Sequence, residues 1–352
     1  MEALWICFIV FAIGACIGSF LNVVALRAIS KESIVLPSSK CPDCGNLIKW
    51  YDNIPIFSYL FTFKGKCRNC GKKVSLQYPI VETLTAIIFL ATFLAFGFTL
   101  KTLSLLVLFS IAIVIMITDI KKEYIFESHA WILIAASVLT SLIINGASNY
   151  AKPAIGLIAG FILMEVLAKL SYYLIRKKEA KSEEKAENKE TSDNVDDENI
   201  DINEYINKNR RAFGDGDTYL AAASGALLGW QYLLVAMFMA IILQALCVLP
   251  QFIINLYKQK QFRLIFSLSA FILLAAVYWI TSNFADLGFV GAMAFVVVLM
   301  FFAIDTITRL KKNVSNQGFS AIPFGPALLV STFIVLFFGN DILRFLFEHI
   351  FI

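Results

Sequence analysis

Histidine is almost missing from this chain: two in 352 residues, His129 and His349. There is no His-Glu-x-x-His run, which excludes a zincin-type metalloprotease. His129 has no evident Ser or Cys partner, so a Ser–His or Cys–His nucleophile has little support. Neither a Walker A loop nor a dinucleotide fingerprint is present, and nucleotide-driven transport therefore has no visible motor. Charge is scarce too, at 16% of residues against 59% hydrophobic, with a mean hydropathy of +0.75. That balance excludes an ordinary soluble domain and indicates a polytopic α-helical membrane protein. The net charge of +4 carries no message about nucleic acid, because the basic residues cluster beside the apolar runs.

The apolar runs predict an all-α chain of about nine to ten spans, one of them short. They fall at Ala3–Leu26, Ile80–Phe98, Thr102–Thr118, His129–Ile144, Pro153–Leu174, Leu220–Leu228 (the short one), Gln231–Ile254, Leu264–Ile280, Leu287–Ile304 and Ile322–Phe338. The first run lacks a basic flank before it and an Ala-x-Ala pattern after it, so it is expected to be a retained helix. Between Arg27 and Tyr78 stand nine basic residues against three acidic ones. Placing that segment in the cytoplasm also brings Lys121, Lys122, Arg176–Lys178, Lys258–Arg263 and Arg309–Lys312 inside. The turns near Thr99, Gly146–Tyr150 and Thr281–Asp286 then face outward with few basic residues, and the N-terminus is outside. Arg176–Phe213 breaks the rhythm with nine basic and eleven acidic residues and reads as a solvated, largely disordered loop, helical at most near its start.

Within the first basic segment lie two matched knuckles, Cys41-Pro-Asp-Cys44-Gly and Cys67-Arg-Asn-Cys70-Gly, with 22 residues between them. Four thiolates so spaced suit one tetrahedral Zn²⁺ of the zinc-ribbon kind. Two disulfides are the alternative, but they need an oxidising compartment, and the charge bias puts this loop in the reducing cytoplasm. Cys7, Cys16 and Cys247 fall inside apolar runs, where small apolar packing is the expected role.

Acids at the edge of an apolar run are costly unless solvated or paired, and so draw attention. Asp119 ends the run Ile111–Thr118, and Asp217 ends Gly214-Asp-Gly-Asp217, ahead of the small-residue stretch Ala221–Ala226. Both fall on the cytoplasmic side of the predicted topology. Two carboxylates sharing one proton form an aspartic-protease dyad, because like charges that close cannot both ionise. Each has a plainer reading: Asp217 as the N-cap of a helix starting at Thr218, Asp119 as a solvated helix-end acid beside Lys121 and Lys122. Glu82 and Glu165 also lie near or in spans and could serve as polar contacts between helices.

Taken together, the motifs resemble the type IV prepilin peptidases, membrane aspartic proteases of the Gly-x-Gly-Asp kind. Gly14-Ala-Cys-Ile-Gly18-Ser-Phe-Leu-Asn-Val-Val24 with Arg27 is similar to the family's opening helix, and the knuckles to its zinc-binding loop. Tyr78-Pro-Ile-Val-Glu-Thr-Leu-Thr-Ala86 is similar to its next span, and Ile322-Pro-Phe-Gly-Pro-Ala-Leu328 to its closing one. Asp119 and Asp217 fall at the family's catalytic aspartates, and Cys41, Cys44, Cys67 and Cys70 at its zinc ligands. The resemblance implies removal of the basic leader from type IV prepilin or pseudopilin precursors at the inner face of the bacterial cytoplasmic membrane. In many members it also implies methylation of the new amine with S-adenosylmethionine; the bound zinc would be structural. The chain departs from the pattern at Phe126-Glu127, where a Pro-Asp or Pro-Asn pair is usual, in its longer charged loop, and in two extra spans before the closing motif.

The expected organisation is a first helix (1–27), a zinc loop (28–78), helices carrying the first aspartate (79–175) and a charged loop (176–213). The Gly-x-Gly-Asp motif with its helices (214–257), an extra hairpin (258–316) and a closing helix (317–352) follow. A zinc-ribbon membrane scaffold or assembly factor of a pilus or secretion system is the competing expectation. A proton-coupled transporter using the same acids lacks paired repeats.

Overall fold

A computed structural model describes residues 2–35, 39–41, 43–62, 65–122, 124–187, 214–258 and 323–349, with isolated helical positions at 262, 266, 269, 270 and 273. Two compact units divide the chain, Met1–Ile241 with Pro323–Ile352, and Ile242–Ile322. The first holds everything that follows. Of the second, the described part is the C-terminal half of one helix and the isolated helical positions.

Eight helices run along the described chain: α1 Glu2–Ser30, α2 Gln77–Phe96, α3 Leu100–Lys122, α4 Glu127–Asn145, α5 Ala151–Glu187, α6 Asp215–Leu228, α7 Trp230–Lys258 and α8 Gly325–His349. Seven of them, all but α6, are long and apolar enough to cross a membrane. Helices are what such sequences must form, because hydrocarbon offers no partner for an open backbone amide or carbonyl. The predicted spans over these residues reappear as helices, most with ends within a few residues of those expected. The exceptions are α8, which runs on past Phe338 to His349, and α5, which continues to Glu187 and carries the start of the charged segment as helix. The expected spans Leu264–Ile280 and Leu287–Ile304 and residues 188–213 lie outside the described residues.

Lipid tails are as apolar as leucine, so burial alone does not drive these helices together; close packing at small residues does. Gly14 and Gly18 of α1 sit against α2, where an added Cβ would come to 2.8 Å from the Ala86 Cα and 2.9 Å from the Glu82 Cα. The opposite face of α1 presents Leu4, Trp5, Phe8, Ile9 and Ile13, all exposed. On α5, Gly156 and Gly160 meet Gly225 and Ala221 of α6, and a Cβ at either glycine would overlap a backbone carbonyl of α6. Hydroxyls inside the bundle are satisfied locally: Thr85 and Thr92 donate to carbonyls four residues back, each at 2.7 Å.

Helix α6 is the hub. At 14 residues it is about 21 Å long, too short for a hydrocarbon layer of about 30 Å. Every residue from Leu220 to Leu228 is nonetheless buried, because α4, α5 and α8 pack around it. Protein rather than lipid surrounds it. Farther along, Thr332 of α8 donates to the Ser224 hydroxyl of α6 at 2.9 Å, and Leu228, Val235, Ala236 and Val335 form a small core among α6, α7 and α8.

Candidate active site and metal centre

Asp119 sits in the last turn of α3, on the buried stripe formed by Ile113, Val114, Ile117 and Thr118. It is 5% exposed, whereas Lys121 and Lys122 point out to the surface. The solvated helix-end reading therefore fails, since helical periodicity turns Asp119 inward and the lysines outward. Beyond it the chain turns through Ile125, which is buried against Gly216: a Cβ added there would meet three Ile125 side-chain carbons at 2.8–3.0 Å. That contact holds the first turn of α6 against the α3–α4 turn.

Asp217 is the third residue of α6, its backbone N–H donating to the Gly214 carbonyl at 3.1 Å. Gly214 occupies the cap position, so Asp217 is not the N-cap that a helix start at Thr218 would make it. Asp217 precedes the apolar run of α6 and lies outside the seven spans. Burial pushes its carboxyl up to about 6, with the Gly214 backbone amide opposing the shift. The helices carrying the two aspartates, α3 and α6, are joined by α4 and α8, each of which packs on both. At the α8 junction Gly325 lies between the Asp119 carboxylate and the Leu220 side chain.

The four predicted ligand cysteines come together. Their sulfurs all lie within 4.8 Å of one another, with Cys41 and Cys70 sulfurs 3.9 Å apart. A tetrahedron of Zn–S bonds of about 2.3 Å has edges of about 3.8 Å, so the cluster has the right size for zinc. Covalent S–S bonds near 2.05 Å do not fit that spacing, and all four thiols are free. The two knuckles are built alike. Cys41 and Cys67 accept from Gly45 and Gly71 at 2.9 Å and donate to the carbonyls of Asn46 and Lys72. Both glycines have φ near +70°, a left-handed turn that a Cβ would strain. The amides of Cys70 and Asn69 aimed at the Cys67 sulfur lower its thiol to about 7, which favours the thiolate a metal requires. Lys72 pairs with Asp43 at 2.8 Å across the two knuckles, and Arg68 with the buried Asp52 at 2.8 Å.

Glu82 does something that sequence reasoning missed. It is buried in α2 and accepts the backbone N–H of Ile56 at 2.7 Å. Ile56 has φ +61°, a rare conformation for a β-branched residue, so a carboxylate in the membrane helices holds a strained residue of the loop. Its carboxylate also bonds the Ser19 side chain of α1, so the contact between helices that the sequence suggested stands beside this helix-to-loop contact. Only the burial of an acid inside an apolar run hinted at it. Glu165 makes a half-solvated pair with Lys169, one turn on, at 3.2 Å. Cys16 and Cys247 are exposed, on outer faces of α1 and α7, which corrects the expected packing role for those two; Cys7 is half-buried.

The profile described as "Bacterial Peptidase A24 N-terminal domain" matches residues 12–96, and that described as "Type IV leader peptidase family" matches residues 106–249. A prepilin leader peptidase/N-methyltransferase of Myxococcus xanthus is 30% identical over 64% of this chain and 56% of its own length. One from Bacillus subtilis is 32% identical over 47% of this chain and 65% of its own length. One from Pectobacterium carotovorum is 30% identical over 63% of this chain and 74% of its own length. The chain thus spans somewhat over half to two thirds of the length of the first two relatives. No solved structure matches it.

Proposed function

Since the chain belongs to the type IV leader peptidase family, we propose that it is a membrane aspartic endopeptidase that removes the basic leader from type IV prepilin-like precursors. The observation that carries this reading is the burial of Asp119 at the end of α3 where α6, bearing Asp217, and α8 converge. In the proposed reaction one carboxylate takes a proton from water while the water oxygen bonds to the scissile carbonyl carbon. The other, protonated, gives its proton to the carbonyl oxygen. The tetrahedral adduct then collapses: the C–N bond breaks, a proton goes to the departing nitrogen, and the leader leaves with a new carboxyl group. Desolvation of Asp217 supports a proton held by the pair near neutral pH.

The proposed orientation puts the zinc loop and both aspartates at the cytoplasmic face and the N-terminus outside. A precursor with a basic leader and an apolar helix would enter from the bilayer, presenting its polar junction where the pair stands. Cys41, Cys44, Cys67 and Cys70 would hold zinc, which when bound cross-links the two knuckles and, with four thiolates, has no open position for substrate. Arg68–Asp52 and Lys72–Asp43 tie the loop to itself, and the Glu82–Ile56 bond fixes it on α2. Methylation of the new amine with S-adenosylmethionine is proposed from the relatives' printed names. Family membership disfavours the scaffold alternative.

The test is direct. Purified protein is incubated with a precursor, with and without S-adenosylmethionine, and the products are weighed by mass spectrometry. Asp119→Asn and Asp217→Asn are each expected to lower cleavage by about a thousandfold or more while still accumulating in membranes. Retained cleavage in either variant removes the pair from the mechanism; loss of function only in cysteine variants restores the scaffold reading.

A further inference from the structure

We propose that Gly325, in the first turn of α8, is a positioning residue for the peptidase reaction: its missing side chain is what allows the Asp119 carboxylate to stand beside the face of α6 that carries Asp217. The inference rests on the peptidase reading above. Gly325 opens α8, and a Cβ built on it would overlap Asp119 Oδ2, lie 3.4 Å from the same carboxyl's Cγ and 2.9 Å from Leu220 Cδ1. Leu220 follows Asp217 by three residues, so on a helix the two share a face. One glycine therefore touches the first carboxylate and the helix face that bears the second.

The atoms met are the ends of two side chains, and both would have to shift inside the packed bundle. Leu220 is 0% exposed and Asp119 is 5% exposed, each anchored in a buried helix. About two to three turns along α8, the Thr332–Ser224 hydrogen bond and the contact of Val335 with Leu228 hold α8 on α6, so it cannot tilt away to admit a methyl group at no cost. The displaced partner would be the carboxylate. Pro326 suits a helix start, having no N–H to leave unpaired, and the N-terminal end of a 25-residue helix is a place where backbone dipoles favour negative charge. Gly339, on the same helix, makes a useful contrast: its Cβ would press at 2.9 Å on the Tyr232 ring, which bonds Asn340 and is remote from both aspartates in sequence.

The experiment compares the whole protein with its Gly325→Ala, Gly339→Ala, Leu220→Ala and Leu220→Ala/Gly325→Ala variants in detergent. The substrate is a peptide with a short basic leader joined to an apolar helix. A shift of about 1 Å in a reacting group lowers rates by about a hundredfold. Gly325→Ala is thus expected to lower kcat by about that factor while KM stays within about twofold, and Gly339→Ala to keep both. In the double variant the new methyl can move into the space left by Leu220 and away from the Asp119 carboxylate, and kcat is expected to recover about tenfold over Gly325→Ala. Should Gly325→Ala fail to accumulate, the double variant set against Leu220→Ala carries the same reading: a reduced kcat at unchanged KM supports the proposal. Wild-type kcat in Gly325→Ala, or in the double variant relative to Leu220→Ala when the single variant does not accumulate, overturns it. So does a parallel loss of kcat and thermal stability in both glycine variants. If the unmodified protein cleaves no such peptide, the peptidase reading itself falls, which is a different result from cleavage that Gly325→Ala leaves untouched.

Discussion

In the proposed reaction Asp217 would couple folding and chemistry through a single proton. Burial raises its carboxyl from an ordinary value near 3.8 to about 6, which means that the folded chain prefers the neutral form. The sign follows: stability is unaffected below about pH 4, where both states are protonated, and falls as pH rises to 6 and beyond. A shift of this size corresponds to a loss on the order of 3 kcal/mol above pH 7. Asp217→Asn is expected to abolish that slope and to unfold later than the parent at pH 8, measured by thermal denaturation in detergent. Activity should carry the same signature, with cleavage by the parent declining on the alkaline side and an apparent pKa at or above 6 that belongs to the pair. A rate flat to pH 9 would point to another general acid. Much of this was legible in the residues themselves. An acid bordering an apolar run is conspicuous, and Gly-x-Gly-Asp drew the eye to Asp217. The burial of Asp119 was not legible, because Lys121 and Lys122 beside it suggest water until the helix is seen to turn them away.

Two elements behave as small machines within the fold. The first is the α5–α6 crossing, where Gly156 and Gly160 let backbones touch. Gly156→Leu should force α6 off its support, lowering stability by about 3 kcal/mol or more. The check is the midpoint of denaturant or thermal unfolding, with an outward-facing control such as Ile155→Leu unchanged. The second element is the loop with its paired knuckles. Metal analysis should find one zinc per chain, and Cys44→Ser should lose it and open the loop to limited proteolysis while the helices persist. A Cys44→Ser protein that keeps its metal would exclude the tetrathiolate site. The knuckles were readable because their chemistry is local, a matter of two-residue gaps and a glycine. The crossing was readable only in outline: small residues in α6 announced a close neighbour without saying that α5 supplies it.

At the scale of the molecule, the proposed orientation rests on the asymmetric placement of lysine and arginine. A cysteine introduced at Ser148 should react with a membrane-impermeant maleimide in intact cells, and one at Ser75 only after permeabilisation, with peptide mapping to separate them from native thiols. The reverse pattern would invert the proposed topology and put the aspartates on the outer face. Composition and spacing by themselves determined that this chain is a bundle of apolar helices and that four thiols share a site. These are properties of short windows, where hydropathy and ligand geometry act between near neighbours. Tertiary structure alone decided that Gly325 meets Asp119, that Glu82 holds Ile56, and that α6 lies surrounded by protein. Those contacts join residues that are distant in sequence, and they exist only where helices pack closely enough for backbone and carboxylate to touch.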